Sequence, residues 1–323
     1  MVIGVIGSGS WGSALAVHFG KSGFKVVQWC REKEVIEGIN RDRENRKYLS
    51  GILYPESVTV ENDERRFFDK VEDVVFSVIP TQFVRDFWQN WRNELKSRQV
   101  ICASKGIEIA SLKLLSQVYE DVVGGEYFVL SGPTFAREVA LGKPSAAVLA
   151  GKDRDEAFRL VNLLSAKMFR LYASSDVIGV ETGGAMKNVV AIATGISDGM
   201  GLGNNARAAL ITRGLHEIKK LGMKFGAVDK TFYGLSGMGD LILTCTGDLS
   251  RNRQFGLSLG KGSGKVDKKY VVEGVHTAKA VVELSLKLGV EMPIAEAVYS
   301  VVYDEKEIEK VMIELLSRPV KEE

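Results

Sequence analysis

Val2-Ile3-Gly4-Val5-Ile6-Gly7-Ser8-Gly9-Ser10-Trp11-Gly12 decides how this chain folds. The apolar run before Gly7 reads as a strand, and an amphipathic helical pattern follows from Ser10 to Lys21. A G-x-G-x-x-G between strand and helix gives each glycine separate work. Gly7 permits the tight turn, Gly9 lets a pyrophosphate approach the backbone, and Gly12 lets helix pack on strand. The helix so opened offers unpaired N–H groups and a positive dipole end to phosphate oxygens. The stretch reads as the start of a dinucleotide-binding unit.

Working outward, residues 2–6, 25–29, 73–79, 99–103, 127–131, 146–150 and 168–172 read as strands. Helical patterns lie between them, as at 10–21, 81–95 and 155–164. In the second of these, Phe83, Val84, Phe87, Trp88 and Trp91 share one stripe. Strand–helix alternation with apolar strands argues for a mostly parallel sheet covered on both faces. The expectation is an α/β N-terminal domain of Rossmann type over residues 1–175. From Ser174-Ser175-Asp176 the texture changes to helical patterns at 178–197, 206–221, 277–288, 295–303 and 305–316. An all-α C-terminal domain over 176–323 is expected, with a mobile loop at Gly260-Lys-Gly-Ser-Gly-Lys265 and a ligand cleft at the junction.

Composition narrows the function. A net charge of +2 over 323 residues gives no electrostatic case for nucleic acid or an anionic membrane. No apolar run approaches ~18 residues and no leader precedes the first strand, so no stable membrane insertion and a cytoplasmic setting are expected. Cys30, Cys102 and Cys245 lack metal or redox spacing, and His18, His216 and His276 lack an obvious partner, so no metal is expected.

The chemistry therefore falls to lysine. Lys187 lies in Gly183-Gly-Ala-Met-Lys-Asn-Val-Val-Ala191, where its neighbours at three and four positions are small or apolar. Desolvation there would pull an ammonium toward neutrality and fit it for proton exchange with a substrate oxygen; the bland alternative is a lysine that snorkels to water. Lys105 follows a strand end, the place where such folds hold ligands. Asp240, in Gly237-Met-Gly-Asp240, could cap a helix or orient Lys187. Ser250-Arg-Asn-Arg253 combines hydroxyl, guanidinium and amide, a kit suited to a dianionic phosphate. Ser131-Gly132-Pro133-Thr134-Phe135-Ala136 follows a strand and opens a helix, with Pro133 read into its first turn. For the cofactor, Arg31 beyond the second strand suits the 2′-phosphate of NADP, whereas Glu32 could serve NAD.

Eight stretches, residues 7–16, 104–107, 131–140, 183–198, 206–214, 234–245, 250–252 and 271–274, occur together in one order. In this the chain resembles the bacterial-type NAD(P)-dependent sn-glycerol-3-phosphate dehydrogenases. The resemblance implies Lys187 as catalytic proton carrier, with Asp240 and Lys105 completing the catalytic set. It implies that Lys105, Gly132, Thr134, Lys187, Asn188, Asp240, Thr244, Ser250, Arg251 and Asn252 hold the substrate, a small phosphate ester. Cofactor contacts would come from Gly7, Gly9, Ser10, Trp11, Gly12, Arg31, Lys105, Ala136, Arg251, Val271 and Glu273. NADP is the expected cofactor, with NAD an alternative, and the oligomeric state stays open, a homodimer among the options.

Two rivals stand beside this reading. One keeps the architecture but takes a hydroxyacid or ketopantoate-like acid. The other is a non-catalytic NAD(P)-sensing module in which Lys187 is only structural.

Overall fold

The structure is a computed structural model that describes residues 1–262 and 272–317. Residues 263–265 of the loop expected at 260–265 therefore lie outside the described residues; Gly260 itself ends a helix. The chain divides into two compact units: Met1–Ser104 with Leu115–Val180, and Lys105–Leu114 with Glu181–Glu323. The chain thus enters the second unit briefly at Lys105, before the main division within a long helix.

The first unit carries an eight-stranded sheet, β1 (Val2–Ile6), β2 (Lys25–Trp29), β3 (Val58–Glu61), β4 (Val74–Ser77), β5 (Gln99–Cys102), β6 (Tyr127–Ser131), β7 (Ser145–Gly151) and β8 (Phe169–Ser174). Their order is β3-β2-β1-β4-β5-β6-β7-β8, with only the β6–β7 pair antiparallel among these strands. The order reverses between β1 and β4, which puts the glycine-rich turn after β1 at a topological switch point. The connecting helices are α1 (Ser10–Lys21), α2 (Lys33–Asp42), α3 (Glu64–Lys70), α4 (Val84–Asn90), α5 (Arg92–Lys96), α6 (Leu115–Val122), α7 (Ala136–Ala140) and α8 (Arg154–Leu164). The expected α/β architecture is present.

Core packing explains both faces. Ile3, Val5, Phe76, Ile101 and Leu130 join α1 and α8 residues on one side, while Ile6, Val75, Val100, Trp88 and Tyr119 pack on the other. Trp88 is fully buried, and its indole N–H donates to Ser77 Oγ at 3.1 Å, so the apolar ring brings no unpaired donor. The single helix expected over 81–95 is instead a 3₁₀ turn (Thr81–Phe83), α4 and α5, broken at Trp91 where φ is −117° and ψ 29°. The aromatic stripe is satisfied by several short pieces. The short edge strand β3 escaped the periodic reading because Val-Thr-Val-Glu offers little apolar run.

In the second unit lie α9 (Val177–Gly199, shared with the first unit as far as Val180), α10 (Gly203–Lys224), α11 (Asp240–Thr246), α12 (Arg251–Gly260), α13 (Glu273–Leu288), α14 (Pro293–Val302) and α15 (Ile308–Leu316). It is the all-helical domain that the sequence implied. Every residue from Gly179 to Ser197 is buried, so α9 is enclosed on all sides. Its crossing with α12 is made by glycine: a Cβ on Gly195 would stand 2.1 Å from Arg253 O, and one on Gly256 2.1 Å from Ile192 O. Gly199 and Gly260 repeat the arrangement four residues on. The periodic reading lacks α12, whose polar residues and glycines supply little apolar signal; a helix after Asp240 is among the readings of that stretch.

Gly256→Ala is expected to destabilise the protein by about 1–3 kcal/mol, the cost of forcing atoms into a closed interface. Chemical denaturation should show a lower midpoint; an unchanged midpoint would mean the helices separate without penalty.

Candidate functional site

In the second unit Asp240 is the first residue of α11, and Gly239 occupies the cap position before it. Asp240 is therefore not the helix cap that one reading allowed. A single π-turn, Leu235–Gly239, precedes it, closed by Gly239 N–H donating to Gly234 O at 3.1 Å. Two glycines make this turn fit: a Cβ on Gly237 would meet Phe232 O at 2.2 Å, and one on Gly183 of α9 would meet Ser236 O at 2.6 Å. The turn is thereby pressed against α9 one helical turn before Lys187.

The consequence is a carboxylate clamped by two ammonium groups. Lys187 Nζ donates to Asp240 Oδ1 at 2.5 Å, and Lys105 Nζ donates to Asp240 Oδ2 at 2.7 Å. Lys187 also donates to Thr244 Oγ1 at 3.0 Å, whose hydroxyl donates onward to Asp240 O at 2.6 Å. Asp240 is 1% exposed and the Lys187 side chain 10% exposed, so these charges interact where water screens them weakly.

Electrostatics follow from that burial. Burial pushes the Lys187 ammonium down from its usual value to about 8; Asp240 raises it again and Lys105 lowers it. For Asp240, burial acts upward, but the two lysines overcome it and hold the carboxyl below its ordinary range. The trio of one anion and two cations can receive a further partial negative charge, such as a developing alkoxide.

Beside this trio lies an amide chain. Asn188, next to Lys187, accepts from Asn252 Nδ2 at 2.9 Å, and Asn252 Oδ1 accepts from Gly274 N–H at 3.0 Å. Ser250 caps α12, its hydroxyl accepting from Arg253 N–H at 3.2 Å, so Arg251, Asn252 and Arg253 form the first turn of a helix rather than a loop. Arg251 is exposed and makes no hydrogen bond or ion pair among the described residues. Arg253 is the opposite: it is held by Asp198 at 2.7 Å and Asp248 at 2.8 Å, while Asp198 also pairs with Arg207 at 2.7 Å. Sequence reasoning missed this support, although an acid on α9 and an arginine on α12 were visible separately. Glu273 opens α13; Val271 lies outside the described residues.

The first unit carries the remaining expected residues. Gly7 has φ +116°, and a Cβ there would stand 2.6 Å from Val78 O. A Cβ on Gly12 would stand 2.2 Å from Gly7 O, whereas one on Gly9 would meet nothing within 4 Å. Gly7 and Gly12 thus shape the turn, and Gly9 leaves open space above it where a pyrophosphate fits. Ser10 and Trp11 begin α1, whose N-terminus has neither a side-chain cap nor an acid in its first turn. That geometry suits an anion. Arg31 is exposed beyond β2, while the Glu32 carboxylate is bound by Tyr48 and Lys47.

Gly132 and Thr134 sit between β6 and α7, and Ala136 opens α7. Gly132 has φ +158°, and a Cβ would stand 2.7 Å from Ala147 Cα, so close packing alone requires glycine there. Thr134 Oγ1 donates to Gly132 O at 3.1 Å, and Ala136 is the first residue of α7. Pro133 lies outside that helix, which corrects its expected first-turn position: Phe135, extended at φ −70° and ψ 127°, delays the helix. Cys30, Cys102 and Cys245 are free and buried. No described helix is long and apolar enough to cross a membrane.

Comparison with known proteins bears on both units. Residues 2–157 match the family model for the NAD-dependent glycerol-3-phosphate dehydrogenase N-terminus, and residues 176–313 match that for the C-terminus. A protein of Solidesulfovibrio magneticus named glycerol-3-phosphate dehydrogenase [NAD(P)+] is 49% identical, the match covering 100% of each chain. The crystal structure of glycerol-3-phosphate dehydrogenase from Coxiella burnetii superposes with a TM-score of 0.92 at 36% identity, covering 98% of this chain and 99% of that one. A ketopantoate reductase from Ralstonia eutropha shares the fold alone, at 13% identity and a TM-score of 0.62 over 98% of this chain and 100% of that one. The chain belongs to the NAD-dependent glycerol-3-phosphate dehydrogenase family.

Proposed function

We propose that this protein interconverts dihydroxyacetone phosphate and sn-glycerol 3-phosphate, using NAD(P)H for the reduction. It is an oxidoreductase acting on a CH–OH group. The observation that carries the mechanism is Lys187, buried and clamped on Asp240 in company with Lys105. The glycine-rich turn and the α1 N-terminus fit the pyrophosphate of a dinucleotide, whose nicotinamide supplies or accepts the hydride. Lys187 gives a proton to the carbonyl oxygen as it becomes an alkoxide, and takes it back in the oxidation. Asp240 keeps that amine charged and aimed; Thr244 takes a second N–H and leaves the third for the substrate oxygen. Lys105 adds positive potential for the same oxygen.

The phosphate of the substrate is assigned to the N-terminus of α12. Arg251 has a guanidinium to spare there, and Asn252 links the same turn to Asn188 beside the lysine. Binding energy at the remote phosphate can then orient the reacting carbon. A hydroxyacid would leave that cation and helix end without a partner, and a mere sensor needs no pair of lysines on a buried carboxylate. Supply of glycerophospholipid precursors, a cytoplasmic location and a homodimeric state belong to the same proposal. A steady-state assay with dihydroxyacetone phosphate, comparing NADH with NADPH, tests it; absence of substrate-dependent oxidation of either nucleotide would refute it.

Lys187→Ala should lower kcat by ~10²–10⁴-fold, the range for acid–base groups; near-normal turnover would remove Lys187 from the mechanism. Arg251→Ala should lower kcat/KM by about 1.5–3 kcal/mol, the worth of a charge-assisted contact, and an unchanged value would displace the phosphate site. With the Lys187 amine near 8, kcat/KM for reduction should fall above that pH because the proton donor is lost, while oxidation should rise. Asp240→Asn removes the anion that favours the ammonium, so the alkaline limb of reduction should move to lower pH. A limb that stays in place would separate Asp240 from the lysine's titration.

A further inference from the structure

The carboxyl end of β2 is where such folds meet the adenosine ribose of a dinucleotide. Here Trp29 is followed by Cys30, Arg31 and Glu32, and the carboxylate of Glu32 has both oxygens engaged. Oε1 accepts from the Tyr48 hydroxyl at 2.6 Å and Oε2 from the Lys47 ammonium at 2.5 Å. Burial pushes this carboxyl up, but Lys47 and Tyr48 outweigh burial and hold it below the ordinary range, so it is an anion. Lys47 also lies 3.7 Å from the exposed Glu34. Arg31 makes no hydrogen bond or ion pair among the described residues, and it acts on Glu32 through its charge alone.

The clamp is anchored. Tyr48 packs against the first unit's core, and its N–H donates to Asn45 Oδ1 at 3.2 Å. The Asn45 amide in turn donates to Ser8 O and to Ser13 Oγ, each at 2.9 Å. One short segment thus holds the glycine-rich turn through Asn45 and Glu32 through Lys47 and Tyr48. The clamp is therefore fixed relative to the turn that would seat the pyrophosphate.

We propose that Lys47, acting through Glu32, is a specificity-determining residue that favours a dinucleotide bearing a 2′-phosphate. A free carboxylate at this edge accepts from a ribose 2′-hydroxyl and repels a 2′-phosphate. Lys47 neutralises that charge and, with Tyr48, fixes the carboxylate's direction. Arg31 is then left to pair with the phosphate. The inference rests on the dinucleotide reading above but concerns only the choice between its two forms.

The test is direct titration of the full-length protein with NADPH and with NADH, without substrate, followed by nucleotide fluorescence. Wild type, Lys47→Met, Glu32→Gln and the double variant are compared, with thermal melts to confirm folding. Lys47→Met should weaken NADPH binding about two- to fivefold, the scale of a partly exposed charge interaction, without weakening NADH. Adding Glu32→Gln to it should restore NADPH binding, because the unmasked carboxylate is gone. Lys47→Gln gives the same readout if Lys47→Met does not fold. An unchanged NADPH-to-NADH ratio in the lysine variant overturns the proposal. So does a loss that persists in the double variant, which would place Lys47 on the phosphate itself. A folded wild type that binds neither nucleotide would instead sink the dinucleotide reading.

Discussion

A carboxylate with almost no exposure to water cannot stay charged alone, and Asp240 stays charged because two lysines converge on it. That constraint organises the second unit. It needs α9 to carry Lys187 inward and the brief excursion of the chain at Lys105 to deliver a second amine. It also needs the π-turn to place Asp240 at the head of α11. Removing one partner would leave a buried charge uncompensated, so these elements are mutually dependent. The same arrangement leaves Lys187 with opposed influences, and burial dominates them. An amine that titrates near neutrality in this way is suited to giving and taking a proton.

Glycine supplies the closeness that this chemistry needs. Gly183 and Gly237 let α9 meet the π-turn, and Gly195, Gly199, Gly256 and Gly260 let it meet α12. The second crossing brings Asn252 within hydrogen-bonding reach of Asn188 and leaves Arg251 exposed at the same helix start. Arg253 and Asp198 tie the two helices with charge, so the first turn of α12 does not float. Packing and recognition are therefore one problem here.

Much of this was legible in the sequence. The fingerprint from Gly7 to Gly12 and the alternation of apolar strands gave the first unit, because buried parallel strands write themselves as continuous apolar runs. Lys187 announced itself by its apolar neighbours on α9. What stayed hidden was long-range: no local pattern says that Lys105 and Lys187 share Asp240, that Arg253 is committed to Asp198, or that Lys47 holds Glu32. A short helix such as α12, with glycine at two of its positions, also carries too little periodicity to read. Pro133 misled because the extended residues after it postpone α7.

Burial, opposed by Asp240, sets the Lys187 amine to exchange protons near neutral pH. Direct observation of the lysine side-chain Nζ resonances by NMR across a pH series, with Lys187 assigned through Lys187→Arg, measures that property without reference to turnover. The Lys187 midpoint is expected near 8. A midpoint at the ordinary value for a solvated lysine, about 10.4, would contradict it.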